Sequence, residues 1–203
     1  MKKIILFDFD GVIADTFDIA YLTAQILLPK ISEEDYRKMF EGNIYESAKA
    51  KTKNLDDLNS KWFKDYAPRL LKKSIIPGIT NQLEQLSKKY TLIIISSSIT
   101  SPILEYTNRH HITHFFKDIY GADVETDKMK KIKMVFKKYN AKPSDCVFIT
   151  DTLGDLKEAK KAGVESLAVT WGFHDIITLQ KGKPKDYIRR VDDITKKIDK
   201  YFK

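Results

Sequence analysis

With 203 residues the chain can bury one sizeable core and carry a small appended subdomain, and 42% apolar against 32% charged residues is the balance of a soluble globular protein. The formal net charge of +8 is spread along the chain without a recognition helix, zinc pattern or aromatic-basic module, so it reads as a solvated surface and nucleic acid is not expected as a partner. Only four apolar residues precede Asp8, too few for a secretory segment, and no window is long enough to cross a bilayer; cytoplasm and a monomer are the default expectations.

Ile4-Ile5-Leu6-Phe7 is a short, β-branched apolar run of the kind that forms a strand buried on both faces. It breaks directly into Asp8-Phe9-Asp10-Gly11, where acids are poor strand formers and glycine permits the tight backbone that must follow. From about Phe17 to Lys73 the apolar residues recur at helical spacing, through Ile19, Leu22 and Ile26, then Tyr36, Met39 and Phe40, then Leu58, Trp62, Tyr66 and Leu70. Pro29 interrupts this pattern, Ser32 with Asp35 has the form of an N-cap, and Glu41-Gly42-Asn43 beside Tyr45 reads as a turn.

Pro77-Gly78 marks a change to alternating helix and strand. The pattern predicts a helix over Ile79 to Lys89, a strand over Leu92 to Ile95 ending in Ser96-Ser97-Ser98, and a helix opened by Ser101-Pro102. A short strand near Ile119-Tyr120 and a lysine-rich helix from Lys128 to Tyr139 follow. Val147 to Ile149 is another strand, closing on Thr150-Asp151; Leu153 to Ala162 is helical, with Gly163 as its C-terminal cap. Leu167 to Val169 and Tyr187-Ile188 are the last strand candidates, and a helix from Asp192 to Phe202 ends the pattern. The single cysteine, Cys146, lies in an apolar run and reads as a core thiol. The fold class is therefore α/β, a Rossmann-like parallel sheet with helices on both faces (1–16 and 77–203) plus a small helical subdomain (17–76).

Ligand chemistry in an open parallel sheet sits beyond the carboxyl ends of its strands. Asp8 and Asp10 end the first strand, Ser96 the second, and Asp151, with Asp155 four residues on, the later one. Carboxylates from two strand ends make an oxygen-only site suited to a hard cation such as Mg²⁺. A phosphate monoester needs such a cation, a nucleophile, and a proton donor for its leaving group, and a carboxylate can be the nucleophile.

Asp8-Phe9-Asp10-Gly11-Val12, the strand ending in Ser96 and Asp151-Thr152-Leu153-Gly154-Asp155 together resemble the haloacid dehalogenase-like (HAD) hydrolase superfamily, on the branch with a small helical cap after the first strand. The resemblance implies Asp8 as nucleophile, Asp10 as general acid/base, and Mg²⁺ held by Asp8, Asp10 (through its carbonyl), Asp151 and Asp155. It implies Phe9, Gly11, Ser96, Ser97 and a lysine for the phosphate. Lys128 fits the lysine's place best and Lys131 is the reserve; Thr150 departs from the glycine usual before Asp151. The activity implied is hydrolysis of a small phosphorylated metabolite, with a β-phosphoglucomutase-like mutase or a non-catalytic polyanion binder as alternatives. An acid at position 10 argues against dehalogenation, because halide leaves without a proton.

Overall fold

The computed structural model describes residues 2–51 and 54–203. Its strands are β1 (Ile4–Phe7), β2 (Thr91–Ile95), β3 (Phe116–Tyr120), β4 (Cys146–Thr150), β5 (Glu165–Val169) and β6 (Asp186–Ile188). They form one sheet in the order β3-β2-β1-β4-β5-β6, with every neighbouring pair parallel. The order reverses direction at β1, between β2 and β4, which is where a doubly wound sheet opens its ligand crevice.

The strand side chains alternate between two apolar layers. Ile5, Phe7, Ile94 and Ile149 share one with Leu83, Ile103 and Ile194. These come from α5 (Ile79–Ser87), α6 (Thr100–Arg109) and α10 (Ile194–Tyr201). Ile4, Leu6, Ile93 and Phe148 share the other with Ile132 and Ala159, from α7 (Lys128–Tyr139) and α8 (Leu153–Lys161). Each such strand residue, fully removed from water, contributes about 1.5–3 kcal/mol. In register Phe7 pairs with both Ile94 and Ile149, so β2 and β4 run one residue beyond β1 and the three strands present the residues after them at one rim.

Between β1 and β2 the chain runs through α1 (Phe17–Leu27), α2 (Glu33–Lys38), α3 (Ile44–Lys49) and α4 (Leu55–Leu70). Phe17, Tyr36, Phe40 and Phe173 pack their rings at 5.0–6.1 Å, joining α1, α2 and the turn after it to the loop after β5. Ser32 caps α2 by accepting from the Asp35 N–H, as its spacing predicts. Gly163, at φ +79, follows α8 as anticipated. Cys146 is buried, and burial pushes its thiol up to about 12. Among the described residues no helix is long and apolar enough to cross a membrane.

Four expectations need adjustment. The helix after β2 starts at Thr100 rather than at Pro102 behind a Ser101 cap; Asp123 supplies the oxygen at its start, accepting from both the Thr100 N–H and its hydroxyl. The Glu41-Gly42-Asn43 turn is also a helix start: the Asn43 side chain accepts from the Tyr45 and Glu46 N–H groups and opens α3. A short helix, α9 (Ile176–Gln180), capped by Asp175, lies where no element was expected. The final helix begins at Ile194, after a 3₁₀ turn over Val191–Asp193.

Candidate active site

Asp8 is the first residue past β1 and is almost wholly buried. Its Oδ1 accepts from the Phe9 N–H at 2.7 Å and pairs with Lys128 Nζ at 2.9 Å. Lys128 opens α7, whose N-cap is Asp127, and its ammonium also reaches Asp155 Oδ2 at 2.7 Å. Asp155 stands in the first turn of α8, where the helix dipole favours a carboxylate, and accepts a further bond from Thr150 Oγ1 at 2.6 Å. Thr150, the departure from the usual glycine, thus adds a donor beside the carboxylates.

One ammonium faces an excess of buried acids, and the titrations follow. Burial disfavours the Lys128 ammonium, but Asp155 and Asp8 outweigh it and hold its pKa above the ordinary value. Burial would raise Asp155, yet Lys128 and bonds from Asp8, Lys128 and Thr150 keep its carboxyl below the usual range. Asp8 is driven well up by burial, with Lys128 opposing and Asp155 and Asp151 adding to the rise.

Asp151, at the end of β4, is enclosed by backbone. A Cβ at Gly11 (φ +75) or at Gly172 would collide with its carboxylate, so both positions need glycine. Oδ2 accepts from the Phe173 N–H at 2.6 Å, whereas the buried Oδ1 has no hydrogen-bond partner. Burial pushes the carboxyl up to about 7 against that one N–H. An orphaned buried carboxylate oxygen beside Asp8 is chemistry that suits a hard cation. Among the described residues no three His, Cys, Asp or Glu side chains already stand as a metal-binding group, and Lys128 bridges Asp8 and Asp155. The donors present therefore fit a hard cation held by a few protein oxygens, with water completing its shell.

Asp10 is treated differently. Its Oδ1 accepts from Thr16 Oγ1 at 2.9 Å and from the Tyr66 hydroxyl, and its Oδ2 from Ser98 Oγ at 2.7 Å. Both side-chain oxygens face hydroxyls, which leaves its carbonyl as the group it could offer a metal.

Of the other rim residues, Ser97 lines the cavity over the carboxylates, as does Ser98. Ser96 lies beneath: its hydroxyl accepts from the Ser98 N–H at 2.9 Å and its side chain is fully buried. Phe9 packs its ring edge-on against Tyr106 and offers the site only backbone. Lys131 is not at the carboxylates. Its Nζ donates to the Ser96 carbonyl at 2.6 Å, with the Gly121 carbonyl at 3.4 Å, and burial lowers it to about 8. Lys130 and Lys133 are solvent-exposed.

The inserted helices roof the site and are tied to its floor. The Tyr45 hydroxyl donates to the Ser97 carbonyl at 2.6 Å, Asn43 Nδ2 to Glu158 Oε1 at 2.8 Å, and Lys157 Nζ to the Glu41 carbonyl at 2.7 Å. A Cβ at Gly154 would strike the carbonyls of Gly42 and Phe40, so glycine is what lets α8 start directly under this turn. Arg37 donates to the Phe173 carbonyl and lays its guanidinium 3.5 Å over the Phe17 ring. His174 Nδ1 accepts from the Leu153 N–H, so Nε2 carries the proton and donates to the Arg37 carbonyl at 2.9 Å. A cavity of about 120 Å³ lies between roof and floor.

A family model for haloacid dehalogenase-like hydrolases matches residues 5–169. The chain belongs to that family. A phosphoglycolate phosphatase from Vibrio parahaemolyticus is 26% identical over 195 residues, 85% of each chain. A haloacid dehalogenase-like hydrolase from Streptococcus pneumoniae shares the fold at a TM-score of 0.80, with 24% identity over 100% of this chain and 99% of that one. A candidate β-phosphoglucomutase from Thermotoga maritima shares it at 0.71, with 18% identity over 98% and 99%.

The candidate site also holds residues that the pattern of the sequence did not single out for it. Tyr66 sits at helical spacing from Trp62 and reads as core; only its hydroxyl, at the end of a buried ring, reaches Asp10. Gly172, Phe173 and His174 come from a loop with no periodicity, and the one signal there was an isolated glycine after a strand.

Proposed function

We propose that the protein is a Mg²⁺-dependent phosphatase that hydrolyses a small phosphate monoester through an aspartyl-phosphate on Asp8. The observation that carries the reading is a pair of carboxyls two residues apart in opposite surroundings: Asp8 against a lysine ammonium, Asp10 against three hydroxyls. Family membership and a phosphoglycolate phosphatase relative support the same chemistry.

In the reading, an Asp8 oxygen attacks phosphorus while the bond from phosphorus to the alcohol oxygen breaks. Asp10 gives that oxygen its proton. Asp10 then takes a proton from a water that attacks phosphorus, the Asp8–phosphorus bond breaks, and phosphate leaves. Lys128 binds a phosphate oxygen and steadies Asp8, and the Ser97 region and the backbone around Phe9 to Gly11 serve the remaining oxygens. Asp8, Asp151 and the Asp10 carbonyl would hold Mg²⁺, with Asp155 orienting it. The cation would supply charge neutralisation at the phosphate and at the acidic cluster. Residues 17–76 act as a cap that excludes bulk water, since the ties of Tyr45, Asn43 and Arg37 close it over the floor.

Phosphate release from a panel of small monoesters, with Mg²⁺ and with EDTA, tests this for wild type and Asp8→Asn. Metal-dependent release that the variant lacks is expected. Equal release by both proteins would remove Asp8 from the chemistry, and interconversion of sugar phosphates without net release would make the protein a mutase.

A further inference from the structure

The floor of the cavity is acidic and hydroxylic, but its walls are not. Met39, Phe40, Ile44, Leu58, Trp62 and Phe63, from α2's following turn, α3 and α4, line the cavity on the side of the inserted helices. Trp62 is stacked on Tyr66, ring centroids 4.2 Å apart, which fixes its indole as a flat wall. The hydroxyls of Tyr45 and Tyr66 are already committed, to the Ser97 carbonyl and to Asp10. Tyr36 and Asn59 are the other polar side chains the roof brings to the lining.

Cations decide the matter. Among the described residues Lys128 is the one cationic side chain lining the cavity, and it is paired to Asp8 and Asp155. Arg37 is turned to Glu33 and the Phe173 carbonyl, Lys157 to the Glu41 carbonyl, and Lys181 to the Glu41 carboxylate. Glu158, also on the lining, adds an acid. A leaving group carrying a carboxylate would enter an acid-flanked, largely apolar space whose one lining cation, Lys128, is already paired, and burying a charge unpaired is strongly disfavoured. A polyhydroxylated one would leave most hydroxyls without partners against Trp, Phe, Met and Leu.

We propose that the alcohol released is uncharged and largely apolar, with a few carbons, in contrast to the carboxylate-bearing glycolate named for the relative. Size agrees: a dry apolar cavity of roughly 150 Å³ accommodates benzene, and this one of about 120 Å³ also has to hold the phosphate. The inference rests on the phosphatase reading above, whose phosphate site orients the ester.

The test is kcat/KM for methyl, ethyl, propyl and butyl phosphate against phosphoglycolate, with Mg²⁺, alongside calorimetric binding of propylphosphonate and phosphonoacetate. Each added methylene that enters the cavity should raise kcat/KM by roughly three- to fourfold. Propyl phosphate should exceed phosphoglycolate, its carboxylate-bearing counterpart, by about tenfold or more. Leu58→Arg, which puts a cation on the wall, should reverse that ratio. A flat alkyl series with phosphoglycolate ahead overturns the inference and leaves the phosphatase reading standing. No release from any ester, with propylphosphonate still binding more tightly than phosphonoacetate, ends the phosphatase reading but upholds the apolar site. Equal binding of the two phosphonates without turnover ends both.

Discussion

The rim of the sheet and the helices above it are built on opposite principles. At the rim, three carboxyls and an ammonium are buried within a few ångströms, each held by a strand end or a helix start. In the roof, aromatic and aliphatic side chains pack as a small core that happens to have a hollow beneath it. On the proposed reading, reactivity comes from the rim, whereas selection falls to a surface whose residues look like ordinary packing. Substitutions in the two regions should therefore separate rate from specificity.

The largest effect belongs to the rim. Asp8→Asn should cut turnover by on the order of 10⁴ or more while removing no apolar contact, so steady-state kinetics and a melting curve on the same protein should diverge. Lys128→Met strips the counter-charge from Asp8 and Asp155 and should destabilise the fold by about 3–5 kcal/mol in denaturant titrations. A loss below 1 kcal/mol would show that the cluster simply takes up protons instead.

Lys131, one helical turn on, sharpens the contrast because it binds only carbonyls. Its folded pKa of about 8 lies below the unfolded value of 10.5. Between those pH values the unfolded chain binds a proton that the folded one does not, so stability rises with pH, by up to about 3 kcal/mol. Lys131→Met should flatten that slope relative to wild type across pH 8 to 10.5. An unchanged slope would place its origin elsewhere.

Tyr66 joins the two regions. Tyr66→Phe keeps the ring against Trp62 but removes the donor to Asp10, and should lower kcat by roughly tenfold with little change in KM. The smallest effect is expected at the turn: Asn43→Ala loses the cap of α3 and the tie to Glu158, costing about 1 kcal/mol and raising KM.

The rim could be read in the sequence because its grammar is local. An apolar run is broken by Asp8 and Asp10, or by Asp151, and parallel strands in register bring these acids to one rim. Lys128 separates from Lys131 once helical phase is known, since both face inward but only the first stands at the helix start, over the carboxylates. Ser96 shows the limit: it sits at the strand end the pattern marks, yet its own turn takes its hydroxyl and Ser97 and Ser98 face the cavity. The roof was legible as helices and opaque as a site. Trp62, Leu58 and Ile44 have the spacing of core residues, and nothing local says that they surround a void.

The most direct test of nucleophilic catalysis by Asp8 is to acid-quench the enzyme during turnover with Mg²⁺ and search its peptides by mass spectrometry. An aspartyl-phosphate on Asp8 should appear as a phosphoryl group on the peptide carrying that residue, removed by hydroxylamine and absent from Asp8→Asn. Full turnover with no such adduct, or an adduct on another residue, would contradict it.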